Sequence, residues 1–317
     1  MSNLTLLDIA KLNGSAKEVG LIESVMTAAP ELASFPARTV KGTSFHTVDR
    51  NALPNTGFTK ANAGITPGKS KFTTKLVECF IFRGAVSADK AVADAYEDGA
   101  PSFQAIEAEG VMRSAAINIG RQIYYGTDTD ANGFPGLQSI VALQGSAMTV
   151  DATGTTASTG SSVYAVKFGP QFVQMVFGSG KGLKLEPFRV QTMTDTNGGN
   201  YAAYVSELTA WVGLQCVHPY AVGRIKNLTA DSGKGLTDSL LSDLLAKFPV
   251  GMVPDALFMT RRTRKQLQAD RASKVALQGN GKSGTLGGGS GYAPTPTEFE
   301  GIPIICTDSI LDTEAIA

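Results

Sequence analysis

At 317 residues and 43% apolar content, the chain can hold one large domain or two ordinary ones, each with a sizeable core. Lys+Arg and Asp+Glu both total 28, and this formal neutrality excludes a global basic field for nucleic acid and a polyanionic tail. The sequence contains no apolar run of about 18 residues and opens without a basic segment followed by an apolar one, so it predicts neither a membrane span nor a signal peptide. A protein made and used in the cytosol is the expectation.

From the start, residues 4–35 read as a short helical arm, with Ser15 capping a helix over 16–29 and Pro30 ending it. Residues 40–50 alternate as an extended segment, and a second extended run returns over 69–82. Between them, residues 51–68 are polar and punctuated by Pro54, Gly57, Gly64, Pro67 and Gly68. A connection of that length is unusual inside a compact domain, so the segment reads as a projecting hairpin or binding loop. Lys69, Lys71 and Lys75 on one face of the returning strand place part of this hairpin away from its own core.

Ser87 is a candidate cap for a short helix reaching Glu97, and a long rod follows over 103–125, about 35 Å at 1.5 Å per residue. Gln104, Glu107, Ser114, Asn118, Arg121 and Gln122 share one arc of that rod, while Ala105, Ala108, Met112, Ala115, Ala116, Ile119 and Ile123 gather elsewhere. A helix apolar over more than half its circumference is a backbone member on which other elements are laid. The turn Gly133-Phe134-Pro135-Gly136-Leu137 comes next, then a Thr/Ser/Gly-rich loop over 149–162 and an apolar strand over 163–168. Residues 201–225 favour β-structure and are interrupted at His218-Pro219. The last third reads as a helix over 237–247, a buried strand over 256–259, a basic helix from Arg261, a glycine-rich loop over 279–291 and an apolar strand over 302–306. Strands and helices without a βαβ rhythm make the fold class α+β.

The chemistry-bearing residues assemble no catalytic group. Gly279-Asn280-Gly281-Lys282-Ser283 imitates the end of a phosphate-binding P-loop, but Ala276 stands where the motif needs its first glycine, and the glycines after Ser283 preclude the required helix. His46 and His218 are the only histidines, so a multi-histidine metal site is excluded, and Cys79, Cys216 and Cys306 have no zinc-like spacing and read as reduced core residues. Glu109 and Arg113, one helical turn apart, form either an intrahelical surface pair or a covered contact that fixes register between packed elements or subunits. Arg261, Arg262, Arg264 and Lys265 form a basic patch that Asp270 and Glu298 to Glu300 are placed to neutralise, and no aromatic interleaving suggests base stacking. No catalytic, cofactor-binding or metal residue is therefore assigned.

Several motifs in order resemble those of one family of tailed-bacteriophage major capsid proteins. Leu53-Pro54 and the run from Gly57 to Gly64 look like its extended-loop signature; Tyr124-Tyr125-Gly126 and Gly133 to Leu137 are similar to the end of its spine helix and the following turn. The run from Ser162 to Pro170, the stretch Trp211-Val212-Gly213-Leu214 with Tyr220, Val222, Arg224, Ile225 and Asn227, and the terminal Phe299 to Ile304 with Asp308, Ile310, Leu311 and Glu314 complete the series. The resemblance implies the Hong Kong 97-type (Johnson) fold: an N-terminal arm over 1–39, an extended-loop hairpin over 40–86, a peripheral domain with the spine helix over 87–130 and 185–230, and an axial domain over 131–184 and 231–317. It differs from the founding pattern in one respect, because the apparent axial helix and strand here follow the central strands.

The implied function is a major capsid protein that self-assembles, as pentamers and hexamers, into the icosahedral head shell around the double-stranded DNA of a tailed phage. Its place is the virion capsid, assembled in the host bacterial cytoplasm. An encapsulin-like compartment and a cytosolic α+β enzyme remain the alternatives. A separate scaffolding protein and a portal are implied partners; packaged DNA is touched only non-specifically, and neither a membrane nor a cofactor is called for. Leu53, Pro54, Phe58, Lys60, Asn62, Lys69, Lys71, Glu109 and Arg113 are the candidate inter-subunit contacts.

Overall fold

The computed structural model describes residues 29–143, 145–180, 182–278 and 293–316. The predicted arm helix over 16–29 and the glycine-rich loop over 279–291 lie outside them, apart from Ala29. Pro30 stands at the start of a one-turn helix α1 (Glu31–Ser34), where its fixed φ of −68° suits the first turn.

Strand β1 (Ala37–Thr39) leads to the hairpin, built from β2 (Ser44–Ala52) and β3 (Lys71–Glu78) in antiparallel register from Ser44 opposite Glu78 to Arg50 opposite Phe72. The returning run is two strands, since the chain breaks at Cys79 and continues as β4 (Phe80–Asp89) in a different sheet. Ser87 lies within β4, and the cap of the next helix, α2 (Lys90–Asp94), is Asp89, whose carboxylate accepts the Ala91 N–H at 2.8 Å. The rod is α3 (Ala100–Tyr125), 26 residues and about 39 Å long. In its amino-terminal half only Ala100 and Phe103 are buried, whereas every residue from Gln122 to Tyr125 is buried.

Two glycines end α3. Gly126, at φ +57°, lies against the backbone of Gly136 so closely that a Cβ on either would overlap the other's main chain, and the Gly-Phe-Pro-Gly-Leu turn is folded back onto the helix end. A short helix α4 (Leu137–Leu143) follows, then β5 (Thr149–Asp151), β6 (Ser161–Val166) and β7 (Val173–Phe177). The remaining elements are β8 (Arg189–Thr194), β9 (Asn200–Cys216), β10 (Val222–Leu228), α5 (Asp238–Leu245), β11 (Ala256–Met259), α6 (Arg261–Gln278), β12 (Glu298–Phe299) and β13 (Ile302–Cys306). Thr237 caps α5 through its side chain.

One sheet has the order β1-β7-β9-β4 with β8 also on β9, and the other runs β12-β13-β11-β6-β10-β5. The pairing crosses the ranges expected from sequence: β7, within 131–184, pairs with β9, within 185–230, and β10, within 185–230, pairs with β6, within 131–184. β4, assigned to the hairpin up to residue 86, pairs with β9 along its whole length.

Strand alternation explains how the six-stranded sheet serves two cores. Tyr164, Val166, Ala256 and Phe258 face α3 and the five-stranded sheet, whereas Val163, Ala165, Leu257 and Met259 face Leu241 and Leu244 of α5 and Leu267 of α6. β6 and β11 are thus buried on both faces and read as continuous apolar runs. At the junction of the first core, Phe35 stacks with Phe168 and Phe258 at ring-centroid distances of 5.0 and 5.5 Å, and Tyr124 lies 5.2 Å from Tyr164.

Candidate assembly surfaces

The two faces of the hairpin differ in what covers them. Phe45, Thr47, Asp49, Lys75 and Val77 alternate onto the inner face and are at least half-buried. Lys75 is not a free surface lysine: its ammonium donates to the Val217 carbonyl at 2.5 Å and lies 3.7 Å from the Asp49 carboxylate, anchoring the hairpin to the body. His46, Val48, Arg50, Phe72, Thr74 and Leu76 alternate onto the outer face. There Val48, Phe72 and Leu76 remain 66%, 59% and 51% exposed, with the Arg50 guanidinium over the Phe72 ring at 5.4 Å. This apolar ladder was missed from sequence, although the period-two pattern of the strands carries it.

The candidate contacts Leu53, Pro54, Phe58, Lys60, Asn62, Lys69 and Lys71 are all exposed at the far end of the hairpin, with Asn62 in a left-handed turn at φ +65°. Phe58 makes no burying contact within its own subunit. Glu109 and Arg113 lie elsewhere, on α3, the carboxylate exposed and the guanidinium half-buried. The subunit does not bring these two together with the hairpin end.

Gln122, expected on the polar arc, is buried at 6% exposure. Its amide donates to the carbonyls of Phe134 and Asp130 at 2.8 and 3.3 Å and pins the turn after the spine helix. The arc is polar there because a loop, not solvent, supplies its partners. Two members of the basic patch on α6 are neutralised by residues other than those expected: Arg261 pairs with Asp308 at 2.6 Å and Arg262 with Asp312 at 3.2 Å. His46 is exposed, and His218 is wedged between Phe172 and Tyr220, where burial lowers its basicity. The three cysteines are unpaired, and burial pushes the Cys216 thiol up to about 12. Among the described residues no cluster of metal-ligating side chains occurs, and no helix is long and apolar enough to cross a membrane.

A buried polar cluster fixes the carboxyl-terminal segment to both sheets' shared core. Glu314 Oε1 accepts from the Tyr125 hydroxyl at 2.6 Å, and Oε2 accepts from Ser162 at 2.5 Å and Arg224 at 3.1 Å. Arg224 also donates to Ser162 at 3.0 Å and lies over the Tyr164 ring, and the Leu311 amide donates to the Tyr125 oxygen. Burial together with the neighbouring Glu314 charge holds the Tyr125 phenol well above its ordinary range. The cluster joins the end of α3, the six-stranded sheet and the terminal segment.

A sequence model of one family, described as "Major capsid protein GP7", matches residues 14–317. The chain belongs to that family. Its members are structural capsid proteins, and this capsid protein is a head-shell subunit. Among solved structures, a chain from bacteriophage Epsilon15 superposes with a TM-score of 0.74 at 20% identity, covering 99% of this chain and 97% of that chain. That agreement shows the Hong Kong 97-type fold. The bacteriophage JBD30 capsid aligns at a TM-score of 0.48 and 11% identity, covering 84% of this chain and 90% of that chain. None of the curated proteins compared matches the chain.

Proposed function

We propose that this capsid protein closes into pentamers and hexamers of an icosahedral head around double-stranded DNA, each subunit laying its hairpin on a neighbour. The observation that carries this reading is the outer ladder of Val48, Phe72 and Leu76, continued by exposed Leu53 and Phe58 beyond it. A two-stranded ribbon is marginal by itself, and apolar area left bare on one face gains its burial from a second copy through a repeated heterologous contact. Leu53, Pro54, Phe58, Lys60, Asn62, Lys69 and Lys71 then sit at the far end of that contact. Glu109 and Arg113 belong to a second contact along the spine helix.

The strand pairing supports a division into a peripheral domain of β1, β4, β7, β8 and β9 with α3, and an axial domain of β5, β6 and β10 to β13 with α5 and α6. The protein acts by assembly and carries out no catalysis; a separate scaffolding protein and a portal complete the head in the bacterial cytoplasm. Formal neutrality suits a lining that touches packaged DNA non-specifically. The test deletes residues 51–68 and examines the expressed protein by electron microscopy and circular dichroism. A folded subunit that no longer builds shells is expected, and shells at normal yield would remove the hairpin from assembly.

A further inference from the structure

Glu31, at the root of the amino-terminal arm, is fully buried at 0% exposure. Its Oε2 accepts from the Thr307 hydroxyl at 2.8 Å, and Thr307 is itself fixed by its amide to the Met259 carbonyl at 3.0 Å. Its Oε1 and the Ser309 hydroxyl both abut Gly120 of the spine helix, where any side chain would overlap them. One carboxyl group therefore meets three parts of the fold: α1, the last third of α3 and the segment after β13. Bringing a charged carboxylate into such a place is far more costly than bringing in its neutral acid.

The charges around it do not repay that cost. Asp308, between the two hydroxyl residues, is negative and already held by Arg261. The Tyr124 phenol on α3 is buried and neutral, and its oxygen has no hydrogen bond. Arg121 follows Gly120 on the helix, and its Nε is buried without a hydrogen-bond partner.

We propose that Glu31 is a proton-sensitive latch: as the neutral acid it holds the arm root against the spine helix and the terminal segment, and on ionisation it loosens that docking. In support, burial raises the carboxyl above the ordinary carboxylate range, with Asp308 adding to the effect and the nearby hydroxyls opposing it. A docked acid that keeps its proton to higher pH than a free one is stabilised by acidification. Docking is then fully present below the free carboxyl's range and is weakened as pH rises through the docked one's. In a shell, the arm roots of many subunits would respond together.

Hydrogen exchange of assembled shells, read in peptides covering 29–35 between pH 5 and 8.5 and corrected for intrinsic rates, tests this. Wild-type protection of the Phe35 amide, bonded to the Glu31 carbonyl at 2.8 Å, should fall by up to about tenfold per pH unit across the window. Glu31→Gln should keep high protection with a flat profile, and Asp308→Asn should move the wild-type midpoint to lower pH. A flat wild-type profile would mean that a cation such as Arg121 neutralises the group and would overturn the latch. So would a Glu31→Gln profile that follows the wild type. If Glu31→Gln gives no shells, the wild-type and Asp308→Asn profiles decide by the same criteria.

Discussion

The Arg224–Glu314 pair offers a quantitative test of how the six-stranded sheet is tied to the spine helix. Both side chains are less than a tenth exposed, at 8% and 6%, and the carboxylate accepts from Arg224, Ser162 and Tyr125 at once. Glu314→Leu removes the acceptor and leaves a buried guanidinium uncompensated, which costs about 3 to 5 kcal/mol. For a chain of 317 residues that corresponds to a fall in melting temperature on the order of 4 to 8 °C. Arg224→Met alone should cost a similar amount, because the carboxylate is then the stranded charge. The double variant should recover most of the loss, since apolar groups of similar volume leave no charge to solvate. Denaturant unfolding of the four proteins gives the coupling free energy directly. Arg189→Ala is the control, breaking a pair whose side chains are 57% and 50% exposed, and should cost at most about 1 kcal/mol. Single variants within about 1 kcal/mol of wild type, or a double variant equal to the sum of the singles, would refute the reasoning.

Two further outcomes follow from burial on the spine helix and at its neighbouring strands. Gln122→Leu should destabilise by about 1 to 3 kcal/mol in denaturant unfolding, because the Phe134 and Asp130 carbonyls lose their donor, while Asn118→Lys on the exposed side should stay within about 0.5 kcal/mol. Cys216, its thiol pushed up to about 12, should resist alkylation at pH 8 in the folded subunit and react after denaturation; rapid native labelling at that site, read by peptide mass spectrometry, would contradict its placement.

Local pattern alone was sufficient wherever an element's identity depends on its own residues. The alternation of 40–50 and the return after 69 specified a hairpin, the proline-free stretch before Gly126 specified a long helix, and the apolar runs 256–259 and 302–306 match β11 and β13 to the residue. The ordered motifs of the family were also legible, since their order and spacing are properties of the sequence itself. What the sequence could not decide was which partner each face would meet. Gln122 lies on a polar arc in either case; only the fold-back of Gly136 onto Gly126 exchanges water for two backbone carbonyls. Strand membership behaves likewise: β7 and β10 have the same local propensity in either sheet, and long-range pairing with β9 and β6 assigns them. Glu31 and Glu314 are ordinary carboxylates in the sequence. They become buried because Thr307, Ser309, Arg224 and Tyr125, distant in the chain, converge on them, and desolvation at that convergence is a property of the tertiary structure alone.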